Sequence, residues 1–190
     1  VKHRDNLPKM RKAGNLWMLL GVESHSKSTL ESFNKQTTPE DAKTAIKLLK
    51  QNDIFAQATF IIGEHEDSAK SIANLREFTN GLDPDLAIFM VLTPFPGTKT
   101  FEEAKRNGWI EDTNWAHYDM VHAIMPTKNL TRMEVQKELY ECYQSFYGSL
   151  HRRLAGVFSS NKLKRKTYRY LAGQGVMQEL KSLFWGKPHA

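Results

Sequence analysis

Three stretches are apolar along almost their whole length: Asn15–Val22 (NLWMLLGV), Ile54–Ile62 (IFAQATFII) and Asp85–Leu92 (DLAIFMVL). Each is too short to be a core helix and rich in β-branched or aromatic side chains. They read as buried strands. Between them the period changes. A short helix fits Thr29–Asn34. Thr38-Pro39-Glu40-Asp41 carries a cap, a first-turn proline and acids at the positive end, and Ala42, Ala45, Ile46 and Leu49 then recur at helical spacing up to Asn52-Asp53. Gly63–Asp67 is a turn, followed by a helix to about Asn80 with Ile72, Leu75 and Phe78 inward, broken by Gly81-Leu82-Asp83-Pro84. Thr93–Thr98 (TPFPGT) is a stiff turn before a helix from Lys99 to about Asn107.

This alternation predicts an α/β fold with right-handed βαβ units and a parallel sheet. Sites in such sheets form where strands end and helices begin, here at Glu23–Ser28, Gly63–Asp67 and Thr93–Thr98. Beyond Trp109 the pattern is irregular, with a short strand fitting Val121–Ile124. A capping box, Thr131-Arg132-Met133-Glu134, opens a helix with Val135, Leu139, Cys142, Phe146 and Leu150 on one face. Tyr140, Tyr143 and Tyr147 flank that face and read as core. Two further helices fit Leu163–Leu171 and Val176–Trp185, separated by Gly173-Gln174-Gly175. The division expected is a sheet-bearing part over 1–126 and a helical extension over 127–190.

Composition narrows this picture. The 190 residues are 40% hydrophobic and 25% charged, enough for one domain with a real core, or one and a half. No apolar run approaches a membrane span and no secretory leader is visible, which suits a cytoplasmic protein. Cys142 is the one cysteine, so a site needing several thiolates cannot come from this chain alone. On the face of its helix, Cys142 reads as packing rather than a nucleophile. The net charge of +6 is concentrated: between His151 and Tyr170 there are seven Lys and Arg residues and no acid. That stretch reads as a solvated helix face, or as a contact for nucleic acid or an acidic partner.

Individual residues leave alternatives open. Glu23, in Gly21-Val22-Glu23-Ser24, would point into the sheet mouth and suit ligand hydroxyls or amines; it could equally be a solvated cap. Lys35 could return to that mouth or stay on the surface. Gly63 permits close approach of backbone to a ligand, or simply turns the chain. His65 among Glu64, Glu66 and Asp67 could suggest a metal or acid–base group, but neighbours in one turn rarely converge, so a solvated or capping role is preferred, with Asp67 or Ser68 capping the next helix. Thr93, Pro94, Phe95, Pro96 and Gly97 form either a strand end or the rigid wall of a cleft.

Taken in order, GVES (Gly21–Ser24), NKQTT (Asn34–Thr38), FIIG (Phe60–Gly63), LTPFPGT (Leu92–Thr98) and W-x-x-Y-D (Trp115–Asp119) resemble the later half of a radical S-adenosylmethionine catalytic domain, over about residues 10–150. The set is similar to the cobalamin-binding class, nearest the oxidative cyclases that close the fifth ring of a magnesium porphyrin in bacteriochlorophyll synthesis. The resemblance implies the C-terminal half of a (β/α)6 partial barrel, strands four to six, followed by a helical extension. It implies S-adenosylmethionine, with Glu23 at its ribose or amino group, Lys35 at its carboxylate, Thr59 at the ribose, Ile61 against adenine and Gly63 in the adjoining turn. Relatives have G-x-P-x-E-T where this chain has Gly63-Glu64-His65-Glu66-Asp67-Ser68, which puts the shape of that turn in question.

A 4Fe-4S cluster and cobalamin are implied for the parent enzyme. The cluster's CxxxCxxC loop is absent here and would lie upstream of Val1. The chain would then be a fragment, inactive without that upstream half of the same polypeptide, and prone to self-association through its open sheet. A porphyrin substrate would face the Thr93–Gly97 loop and His117–His122. The implied chemistry is reductive cleavage of S-adenosylmethionine, hydrogen abstraction from a propionate side chain and ring closure; no catalytic base is assigned. The alternatives are another cobalamin-dependent methyltransferase or methylthiotransferase relative and, in a different class, a basic module that binds nucleic acid or an acidic partner.

Overall fold

The computed structural model describes residues 3–185, with side chains up to residue 174. The chain divides into two units, Val1–Phe146 and Tyr147–Ala190. The first holds a three-stranded parallel sheet in the order β1-β2-β3, with β1 at Trp17–Glu23, β2 at Phe55–Ile62 and β3 at Leu86–Val91. A short helix α1, Leu7–Lys12, precedes the sheet and has no counterpart in the expected elements. α2 (Lys27–Ser32) and α3 (Pro39–Gln51) connect β1 to β2, α4 (Ala69–Leu82) connects β2 to β3, and α5 (Lys99–Arg106) follows β3. α6 (Arg132–Tyr147) returns to the sheet through Tyr143, and this unit runs to Phe146.

The caps follow the sequence closely. Ser26 caps α2, Thr38 and Asp41 form a reciprocal box on α3, and Thr98 caps α5. On α4 the cap is Ser68, exchanging bonds with Ser71. Gly81 does not break α4; the helix continues to Leu82 and stops at Asp83, which sits in the left-handed region at φ 49°.

One sheet face carries Ala56, Ala58, Phe60 and Ile62 of β2 with Ala87, Phe89 and Val91 of β3, all buried. Phe60 stacks on Phe89 with ring centroids 5.4 Å apart, and the Tyr143 ring of α6 meets Phe89 edge-on at 5.4 Å. Val135, Leu139, Cys142 and Phe146 bury the rest of that helix face. Tyr140, expected in the core with its neighbours, is exposed.

Three further expectations are corrected. β1 is not a buried strand: Trp17 is 51% and Leu19 52% exposed, because β1 is an edge and no described strand covers its outer side. Val121–Ile124 forms no strand; Glu111 and Asp112 amides both donate to the Ile124 carbonyl in an irregular crossing. Leu150 leaves the α6 face and opens α7 (Leu150–Val157).

The second unit pairs α7 with α8, which is continuous over Lys162–Trp185 through Gly173-Gln174-Gly175 instead of splitting there. Gly156 makes the helix pair possible, since a Cβ at that position would overlap the Tyr168 ring.

Candidate functional site

The C-terminal end of β1 is irregular in a way that serves Glu23. The β1–β2 register slips between Gly21 and Glu23, a bulge that re-aims the last side chain of the strand. Glu23 adopts φ 65°, an uncommon conformation for a residue with a side chain. Its Oε1 lies 3.0 Å from Lys35 Nζ, and Lys35 also reaches the Gly21 carbonyl at 3.4 Å. Glu23 Oε2 is buried and has no hydrogen-bond partner. Gly21 leaves the room required: a Cβ there would stand 2.5 Å from Glu23 Oε1 and 3.0 Å from Lys35 Nζ. The bend after α2, where Asn34 has φ 53°, returns Lys35 to the strand end.

Thr59 lies beside this pair. It is the register partner of Gly21, and its hydroxyl is 3.5 Å from the Leu20 carbonyl. Two residues on, Ile61 helps to line a pocket of about 210 Å³ with Ser24, His25, Glu64, Asp67 and Ser71. Gly63 ends β2 at φ 80°, and a Cβ there would crowd Val135 Cγ1 at 3.1 Å and Val91 Cγ1 at 3.3 Å. Its amide donates to Asp67 Oδ2 at 2.9 Å, as the Glu64 amide does at 3.2 Å, while the Ser71 hydroxyl donates to Asp67 Oδ1 at 2.7 Å. Asp67 thus shapes the turn rather than capping α4. Burial raises its pKa despite these bonds, and burial lowers that of His25. Both groups are pushed toward neutrality in the shared pocket.

His65 is not a solvated turn residue. Its ring stacks on Trp109 at 3.8 Å and its Nδ1 is buried. In the loop after β3, Thr93 and Pro94 are buried, with the Thr93 hydroxyl donating to the Val91 carbonyl, and Phe95, Pro96 and Gly97 are exposed. This loop ends the far edge strand of the sheet, with β2 between it and Glu23.

The His117–His122 segment is more ordered than its sequence suggests. The Val91 amide donates to the Met120 carbonyl, tying the segment to the end of β3. His117 Nδ1 is 2.7 Å from Asp112 Oδ2, His122 Nδ1 is 2.8 Å from Asp119 Oδ2, and the two imidazoles stack at 4.6 Å. Partial burial pushes the Asp119 pKa up, but bonds from the His122 and Val121 amides and the His122 ring outweigh it and bring it to about 2. These pairings, and the His25–Asp67 pocket, escaped the sequence reading. The only signals were an Asp three or five residues before a His, and a serine-rich loop facing an acidic turn.

The residues present do not fit an iron–sulfur cluster. Cys142 is buried, burial pushes its thiol up to about 12, and no group of three or more metal-ligating side chains occurs among the described residues.

No protein-family model matches the chain. Curated relatives do. The chain is 35% identical over 137 residues to the anaerobic magnesium-protoporphyrin IX monomethyl ester cyclase of Cereibacter sphaeroides, covering 72% of this chain and 22% of that protein. It is 33% identical over 138 residues to an uncharacterised methyltransferase of Pyrococcus horikoshii, covering 73% and 30%. It is 26% identical over 157 residues to the bacteriochlorophyllide d C-8(2)-methyltransferase of Chlorobaculum tepidum, covering 82% and 35%. Among solved structures it is similar to coproporphyrinogen III oxidase of Escherichia coli, a radical S-adenosylmethionine enzyme, with a TM-score of 0.53, 17% identity and coverage of 77% and 29%. In sequence the chain is similar to these cyclases and methyltransferases, and its fold is similar to that of a radical S-adenosylmethionine enzyme. It spans between about a fifth and a third of the length of the curated relatives described.

Proposed function

We propose that this chain is the S-adenosylmethionine-holding part of a radical enzyme that modifies a tetrapyrrole, specifically an anaerobic oxidative cyclase acting on magnesium-protoporphyrin IX monomethyl ester. The carrying observation is Glu23. Its Oε1 is held by Lys35 at 3.0 Å while Oε2 is buried without a partner. A buried carboxylate oxygen without a donor is costly, and a ribose hydroxyl or an ammonium group would satisfy it. Lys35 carries the complementary charge for a carboxylate, Thr59 offers a hydroxyl beside Gly21, and Ile61 offers an apolar surface for a purine. S-adenosylmethionine, when bound and reduced, supplies the radical that begins hydrogen abstraction. The role of this chain is to bind and orient that molecule.

The cluster ligands belong to another part of the parent enzyme, in keeping with the poor fit of Cys142. Cobalamin has no assigned contact among the described residues. The exposed Phe95-Pro96-Gly97 loop is the proposed wall toward the substrate. The tetrapyrrole reading is supported by the names of the matched cyclase and bacteriochlorophyllide methyltransferase. The second reading, a methyltransferase of the same class, is favoured by the Pyrococcus and Chlorobaculum relatives.

Equilibrium binding of S-adenosylhomocysteine, which requires no cluster, tests the site. The chain should bind it, and Glu23→Gln should weaken binding about tenfold, the scale of one charge-assisted hydrogen bond. Equal binding by both proteins would remove the assignment of Glu23. Cleavage of S-adenosylmethionine by the reduced chain alone would refute the division of labour.

A further inference from the structure

Helix α7 presents an apolar stripe that nothing described covers. Leu150 is 67%, Leu154 50% and Phe158, just beyond the helix end, 74% exposed. At i, i+4 and i+8 they fall within an arc of about 80° on one side of the helix. The opposite side is occupied: Gly156 is buried against the Tyr168 ring of α8. A contiguous exposed stripe of this kind marks an interaction surface.

Its electrostatic surroundings identify the occupant. No Asp or Glu lies between Glu141 and Glu179, while Arg152, Arg153, Lys162, Lys164, Lys166 and Arg169 do. Arg153 is exposed beside the stripe, and Lys162, Lys166 and Arg169 are exposed on α8. Arg165 is used internally, donating to the Ser159 carbonyl at 2.6 Å at the end of α7. Packed helices are separated by about 8–10 Å, so a surface on the stripe lies more than one Debye length from α8 at physiological salt; Arg153 acts on it locally, and the α8 cations add a longer-range attraction that salt screens.

We propose that the α7–α8 hairpin is a peripheral docking device for an anionic lipid surface. Leu150, Leu154 and Phe158 enter the headgroup boundary, Arg153 beside them meets acidic headgroups, and the acid-free cationic hairpin as a whole draws the chain toward an anionic surface. Two other occupants fit less well. Nucleic acid would use the cations but offers no apolar surface to this stripe. A second copy would bring the same acid-free cationic surface against itself. The device lies on the membrane and does not cross it, since no described helix is long and apolar enough to span one.

Co-sedimentation of the chain with vesicles tests this. Vesicles of phosphatidylcholine containing phosphatidylglycerol should bind it at least about tenfold better than phosphatidylcholine alone, and added salt should weaken the binding. The double variant Leu154→Glu, Phe158→Glu alters exposed positions and should keep the far-UV circular dichroism of the parent, yet lose about tenfold or more in binding to the acidic vesicles. Equal binding to both vesicle types, no binding to either, or undiminished binding by the double variant would each overturn the proposal. So would capture of duplex DNA or RNA with vesicles left unbound, or a dimer that the double variant dissociates while neither protein binds vesicles.

Discussion

Tyr143→Phe isolates one hydroxyl that closes one edge of the sheet. β3 is an edge strand, and its outer side would leave main-chain groups of Phe89 unpaired where that residue is buried. The Tyr143 hydroxyl accepts from the Phe89 amide at 3.2 Å and donates to the Phe89 carbonyl at 2.9 Å, standing in for an adjacent strand. Phenylalanine would retain the edge-on ring contact with Phe89, so the change removes hydrogen bonding with little loss of packing. Two buried main-chain groups would lose their partner, each at a cost of about 1–2 kcal/mol, so destabilisation of about 2–4 kcal/mol is expected. For a chain of this size that lowers Tm by about 5–12 °C. Urea unfolding followed by circular dichroism, with m unchanged, reads this directly. A loss below about 0.5 kcal/mol would refute the argument and show that water or a shift of β3 satisfies the edge.

Four other outcomes follow from named contacts. Gly63→Ala combines a left-handed backbone with close approach to Val135 and Val91, and should destabilise by about 1–3 kcal/mol in thermal unfolding. Cys142, with its thiol pushed up to about 12 by burial, should resist iodoacetamide at neutral pH in the native chain and react promptly in denaturant. Asp119 has a folded pKa of about 2, below its unfolded value near 4, so its stabilising contribution is complete above that unfolded value and is lost as pH falls toward 2; Asp119→Asn should flatten acid unfolding in that window. Gly156→Ala should separate α7 from α8, seen as faster amide exchange in that hairpin with little change in the sheet amides.

β2 was legible because a strand with a neighbour on each side must be apolar nearly throughout, and β3 because its inner face packs on the core and its open edge is closed by Tyr143 and the Met120 carbonyl. β1 has the same composition but a different fate, since burial depends on what stands beside a strand and composition does not name the neighbour. Gly173-Gln174-Gly175 looked like a break, yet glycine costs a helix only about 1 kcal/mol each, which α8 accommodates. Glu23 was legible as the last residue of a strand; its meeting with Lys35 stayed an open alternative, because a separation of twelve residues is compatible with many loop paths. The convergence depends on a bulge at Val22 and left-handed residues at Glu23 and Asn34, features with almost no signature in side-chain chemistry. The resemblance to a family implied one ligand for both residues, Glu23 at its ribose or amino group and Lys35 at its carboxylate, and not their contact with each other.

The two edges of the sheet carry the more general point. At β3, Tyr143 serves Phe89 and the Met120 carbonyl serves the Val91 amide, so that side is occupied by side-chain and loop groups. At β1, Trp17 and Leu19 stand exposed beside Leu16, which is exposed as well. An edge that is meant to face water is normally short, charged or bulged along its length, to deter pairing with other strands. β1 bulges only at its last turn, where Glu23 is aimed, and its preceding residues Trp17–Leu20 are uncharged. The asymmetry separates two tasks within one small sheet. The β3 side is finished, and it anchors the segment that holds the His117 and His122 pairs. The β1 side leaves apolar surface next to Glu23, the carboxylate of the proposed site, so whatever covers β1 also sets how dry Glu23 is. Ligand affinity at Glu23 should therefore rise when that surface is covered, because a charge-assisted hydrogen bond strengthens as water is excluded.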